Sequence, residues 1–167
     1  MRADAFAPVA EAFLHPRCTN CHVGASGVPG WAGLGYGPEA VHGMHVRAGE
    51  SRIGAEGLPC RTCHVTAALE NDVQRAAPGI AAPWQLPPVT LAWQGASPAQ
   101  LCARLRDPQQ TDGADVTALA DHVATSPFVA WGFAPGGGRS APAGNPATLA
   151  RALLEWAAAG TPCPTGP

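Results

Sequence analysis

Two five-residue segments carry the residues with the most chemistry to offer. Cys18, Cys21 and His22 in CTNCH, and Cys60, Cys63 and His64 in CRTCH, each place two thiols three positions apart with an imidazole directly after the second. This C-x-x-C-H spacing is what covalent attachment of a c-type haem requires. Both cysteines form thioethers to the macrocycle, and the following histidine reaches the iron. Two intervening residues let one turn of chain bring both sulfurs to one edge of the ring while the imidazole projects beneath it. The sequence therefore predicts two covalently attached haems c, bound through Cys18, Cys21, Cys60 and Cys63, with His22 and His64 as axial ligands. The surrounding octapeptides, PRCTNCHV from Pro16 and LPCRTCHV from Leu58, are the one internal repeat. It repeats a site, not a fold.

A four-cysteine zinc site is the rival chemistry, because C-x-x-C repeated twice is also a zinc signature. Zinc leaves both histidines accidental. Histidine is 6 of 167 residues, so its chance placement after both pairs has a probability of about one in 800. The 38 residues between Cys21 and Cys60 also exceed the roughly 15–20 of a zinc ribbon. A thioredoxin-like dithiol fares worse, since no alternation of strand and helix surrounds either pair.

Each iron has a sixth position, for which His15, His42, His45, His122 and Met44 are the remaining candidates. Methionine opposite histidine raises the reduction potential, whereas two histidines lower it. Met44 is the only methionine besides Met1, so at most one centre is His/Met and at least one is bis-histidine or open. His42 sits in VHGMHV between the motifs, where glycine allows close approach of backbone to a macrocycle. His122 lies beside the apolar face of a capped helix. The expected assignment is His42 and His122 on different irons. His15, too near Cys18 to bind its own haem, becomes a ligand if the two haems stack closely.

Cys102 and Cys163 are left over and lie 61 residues apart. In an oxidising compartment they pair, closing a loop whose cross-link contributes about 4 kcal/mol in the chain-entropy model.

The elements that must position these groups are short. Glycine and proline make up 38 residues, which favours turns over long regular structure. Phe6, Val9, Ala10, Phe13 and Leu14 recur at helical spacing over Ala5 to Leu14, and Pro16 stops that helix before the first motif. GASGVPGWAGLGYG, from Gly24, reads as a loop. PGIAAPWQLPP, from Pro78 to Pro88, reads as an extended connector. Three helices then follow. The first is capped by Ser97 with Gln100, the second follows Asp112 and ends at Pro127, and the third starts at Asn145 and stops at Gly160. WGFAPGGGRSAPAG, between the last two, reads as irregular. The five tryptophans are expected in the core or against haem. The fold class that results is mainly α with extensive coil, its short helices and Gly/Pro-rich loops wrapped around two haems. A haem-binding region (1–75), a proline-rich connector (76–96) and a helical region (97–167) form one compact domain.

The formal charge is -2, with ten arginines and no lysine. No basic stripe for nucleic acid is present. No apolar run approaches the roughly 20 residues of a membrane span, and the N-terminus lacks the apolar core of a signal peptide. Because c-type haem is attached outside the bacterial cytoplasmic membrane, a periplasmic location is expected, with Met1 standing where a leader has been removed.

HPRCTNCH, HGMHV, LPPVTLAW, and WGFAPG followed by a C-terminal TPCP resemble the small dihaem proteins labelled isoquinoline 1-oxidoreductase subunit. The resemblance spans most of the chain. It implies an electron-transfer companion of a molybdenum hydroxylase, since 167 residues cannot hold a molybdopterin domain. It also implies ligand histidines at His15, His42 and His122, while His45 is peculiar to this chain. The expected function is thus periplasmic electron transfer to or from a partner oxidoreductase. A small haem enzyme or gas sensor is the alternative and needs one open iron, although no acid/base constellation accompanies the motifs. A polymerising electron-conducting subunit is a third, which oligomeric state would distinguish.

Overall fold

The computed structural model describes residues 3–34, 41–67, 71–73 and 76–165. Met1 and the end of the first glycine-rich loop lie outside them. Among the described residues six α-helices and several single 3-10 turns are joined by coil, and strand is confined to two isolated bridges, Gly30 with Val41 and Thr66 with Ile80. The mainly helical, coil-rich class follows from the dispersed glycines and prolines, which interrupt every helical run before it exceeds 13 residues.

A 3-10 turn at Ala3–Phe6 leads into α1 (Ala7–Phe13), which buries Val9, Ala10, Ala12 and Phe13. Pro16 ends this helix, as expected, but it also begins another. It occupies the first turn of α2 (Pro16–Thr19), where its missing N–H costs nothing, and His15 is the cap. The first motif thus starts on a short helix.

Beyond the connector, α3 (Pro98–Arg106) opens on the reciprocal Ser97–Gln100 capping box. The next helix departs from expectation. Its cap is Asp115, whose carboxylate accepts from the Ala118 N–H, and α4 runs Val116–Thr125. Asp112 instead lies in a left-handed turn with Gly113, at φ 55° and 80°, a conformation that cannot open a helix. Pro127 likewise ends α4 and starts α5 (Pro127–Phe133), an unexpected helix whose last three residues, Trp131 to Phe133, fall in the segment expected to be irregular. There the first-turn proline outweighed the helix-breaking glycines that follow it. Asn145 caps α6 (Pro146–Ala158) through a second capping box.

The main core joins α1, α3, α4 and α6 with Trp93. α4 and α6 lie along one another, and α1 packs on both α3 and α6. N-terminal and C-terminal regions therefore share one apolar interior. Trp156 is fully buried and meets the Phe6 ring at 4.9 Å. Cys102 on α3 is bonded to Cys163 beyond α6, with Cα atoms 5.6 Å apart, so the expected disulfide is present. Trp156 Nε1 donates to the Pro162 carbonyl at 2.9 Å, which fixes the tail that carries Cys163. No helix among the described residues is long and apolar enough to cross a membrane.

Candidate functional site

The two motifs share one backbone turn. In the first, the Cys21 and His22 N–H groups donate to the Cys18 carbonyl at 3.1 and 3.0 Å. In the second, those of Cys63 and His64 donate to the Cys60 carbonyl at 3.2 and 2.9 Å. A proline precedes each turn by one or two residues, Pro16 and Pro59. Asn20, inside the first motif, exchanges hydrogen bonds with Ala32 through its amide, pinning the loop that carries Trp31. Gly30 is required there, because a Cβ would lie 2.4 Å from the Asn20 side-chain oxygen.

The histidines that end the motifs are held alike. His22 Nδ1 lies 3.0 Å from the Leu91 carbonyl and its ring stacks on Trp93 at 3.4 Å, 3° from parallel. Trp93 in turn stacks on Phe13 at 4.5 Å, tying the imidazole to the core. His64 Nδ1 lies 2.8 Å from the Pro78 carbonyl, and its ring stacks on Trp84 at 4.2 Å. A carbonyl can only accept, so each Nδ1 carries the proton and each Nε2 keeps its lone pair. This tautomer is the one a metal-binding imidazole needs. Burial pushes the His22 pKa down to about 3, despite the opposing effect of the Leu91 hydrogen bond. Burial also lowers that of His64, with the nearby positive forms of His42 and Arg139 adding to the shift. Both imidazoles are therefore neutral at physiological pH and need shed no proton to bind a metal.

A cavity of about 500 Å³ opens over the second motif, a size that suits a cofactor-sized ligand. Cys60, Cys63 and His64 form one side, His42 and Trp31 another, and Cys21 of the first motif reaches the same space. His42 faces His64 with ring centres 6.1 Å apart. Two imidazoles bonded to opposite faces of one metal at about 2 Å, with ring centres roughly 1 Å further out, stand about 6 Å apart. His42 is oriented by its Nδ1, 2.8 Å from the Gly43 carbonyl, and by the edge of Trp31 at 5.2 Å.

The other candidates fall in different places. His122 is an exposed residue of α4, close enough to His22 that its positive form opposes protonation there. His15 caps α2, its Nδ1 accepting from the Arg17 N–H at 3.2 Å. Its proton consequently sits on Nε2, the nitrogen a ligand role would need. Met44 is 78% exposed at the cavity mouth, and His45 is exposed beside it.

Three of the four motif thiols are shifted away from what redox or zinc chemistry asks of them. Burial raises Cys18 to about 12 and Cys21 to about 11 and also raises Cys60, whereas nucleophilic and metal-binding cysteines need the opposite shift. Among the described residues no group of three or more His, Cys, Asp or Glu side chains could hold a metal ion, so the four cysteines form no zinc cage. The opposed His42–His64 pair, with the Cys60 and Cys63 thiols bordering the same cavity, would fit a haem iron, which brings four ligands of its own and asks the protein for two more.

Sequence reasoning singled out the motif residues and His42 but not the groups that contact them in the fold, namely the Leu91 and Pro78 carbonyls, nor the use of Trp93 and Trp84 as platforms. The buried Arg17 and Arg139 were also missed. The proline-rich connector was the available signal, since proline removes N–H donors and leaves nearby carbonyls without strand or helix partners. The chain matches no protein-family model, no curated protein and no solved structure.

Proposed function

We propose that this protein is an electron carrier with two covalent haems c, Cys18 and Cys21 holding one and Cys60 and Cys63 the other. The observation that carries the proposal is the His42–His64 pair, 6.1 Å apart across a cavity bordered by Cys60 and Cys63. His64 and His42 would hold the second iron, and His22 and His122 the first. Bound haem supplies an iron that exchanges one electron between the ferric and ferrous states. The chain keeps His22 and His64 neutral and fixed through the Leu91 and Pro78 carbonyls, so that neither motif histidine needs to move as the charge of its centre changes. Trp84 and Trp93 keep the two motif histidines from rotating, and the apolar walls limit the solvent rearrangement that a changing charge would demand. Cys21 lines the cavity over the second motif, which supports close approach of the two centres and electron passage between them.

The disulfide and the attachment chemistry both favour an exported, periplasmic protein. The partner is another redox protein, and the sequence resemblance points to a molybdenum hydroxylase. A redox titration of the haem-loaded protein tests the carrier role. Two one-electron waves are expected, with no carbon monoxide binding in the ferrous state. An iron that binds carbon monoxide in the unmutated protein would instead favour the enzyme or sensor.

A further inference from the structure

We propose that Arg139 and the indole N–H of Trp131 bind the carboxylate side arms of the haem on the second motif, and that Arg139 raises its reduction potential. The inference rests on the proposed dihaem function and adds two residues to it. Arg139 is 8% exposed and lines the cavity over His64. Its guanidinium has five N–H groups. Nη1 donates to the Asn71, Pro135 and Gly136 carbonyls at 3.2, 3.2 and 3.3 Å, and Nη2 to the Ala76 carbonyl at 2.6 Å. One Nη2 hydrogen and the Nε–H remain for another acceptor. The one ion pair among the described residues is the exposed Arg151–Glu155 contact, so no described carboxylate neutralises Arg139. A cation buried against an apolar cavity is costly unless an anion accompanies it.

Trp131 supplies the second observation. Its Nε1 is buried, has no hydrogen-bond partner among the described residues, and belongs to a residue that lines the same cavity. Buried indole N–H groups ordinarily have an acceptor. Arg17, 5% exposed, lines the same cavity and sits over the Trp131 ring at 5.9 Å, adding positive charge on that side. A mostly apolar cavity lined also by two cations, an unpartnered indole N–H and imidazoles suits a flat apolar ligand that ends in carboxylates. Positive charge close to the iron disfavours the ferric form, which carries one charge more.

The experiment is a potentiometric titration of haem-loaded wild type, Arg139→Gln, Arg139→Lys and Trp131→Phe, each first weighed intact. Absence of haem from the wild type would defeat the dihaem function itself, independently of this proposal. With two haems in place, Arg139→Gln is expected to shift the ferric/ferrous ratio of one haem tenfold toward ferric, about 59 mV for one electron. The other haem should shift less than threefold. Arg139→Lys loses the fork that ties the loops but keeps the charge, and should shift less than threefold. Trp131→Phe keeps an aromatic ring, loses the N–H and should shift the same haem severalfold in the same direction. Equal shifts in the glutamine and lysine variants would show a purely structural role and overturn the proposal, as would wild-type potentials in both. If Arg139→Gln does not mature, Trp131→Phe decides alone, and a wild-type potential there overturns the proposal.

Discussion

Replacing His42 by alanine is expected to convert one of the two haems from low spin to high spin and let it bind carbon monoxide, while the other stays six-coordinate. The reason is local. His42 is the imidazole facing His64 across the cavity, at 6.1 Å, and its neighbours are poor substitutes. Met44 is 78% exposed, and its backbone and that of His45 are held in left-handed conformations at φ 61° and 51°, which restricts how either can swing inward. His122→Ala should open the other centre, since His122 is the histidine beside His22. Electron paramagnetic resonance of the ferric proteins separates the cases, because spin state follows axial ligation. His15→Ala should leave both centres low-spin and cost only the α2 cap, about 1 kcal/mol. If His42→Ala and His122→Ala both retain two low-spin haems and His15→Ala opens one, the assignment fails and a stacked arrangement using His15 takes its place.

Removing the disulfide should have the largest effect on stability. Cys102 is fully buried on α3, while Cys163 lies in the tail after α6, so the bond closes a loop that includes α4, α5 and α6. For a separation of 61 residues, chain entropy gives about 4 kcal/mol, or a fall in Tm of about 8–16 °C for a chain of this size. A Cys102→Ala, Cys163→Ala variant tests this without burying a hydroxyl where the sulfur was. Calorimetry of the two proteins at the same haem content makes the comparison, and an unchanged Tm would show that the tail is held by packing and the Trp156–Pro162 hydrogen bond alone.

Helix starts were legible where a side chain announces them. Ser97 with Gln100 and Asn145 with Pro146 stand at the caps expected of them, because capping satisfies N–H groups by chemistry local in sequence. Two prolines, Pro16 and Pro127, were read only as helix stops. Pro16 and Pro127 end one helix and begin the next, and whether a proline stops or starts a helix depends on the residues after it as much as on those before. Asp112 was mistaken for the cap that Asp115 supplies, since two aspartates three apart are equivalent until Gly113 turns the chain between them.

The site divides along similar lines. A C-x-x-C-H motif is contiguous and therefore readable. The apposition of His42 with His64 joins positions 22 residues apart across a loop, and the contacts of His22 with Leu91 and Trp93 span about 70. Distances of that kind are set by tertiary packing, so sequence could nominate His42 and His122 but could not say which motif each would face. The buried arginines left no periodic signal, because each lies beside a proline- or glycine-rich turn, and only the folded cavity distinguishes them from the other eight.

The central claim is that both motifs carry covalent haem, and intact mass spectrometry of the protein expressed with an export leader and c-type maturation tests it most directly. The predicted mass is that of the processed polypeptide with its one disulfide plus two haems, falling by one haem when Cys60 and Cys63 are replaced by alanine, with colour staying in the protein after acid–acetone extraction. A polypeptide mass without haem, or haem that passes into the acetone, would contradict the account.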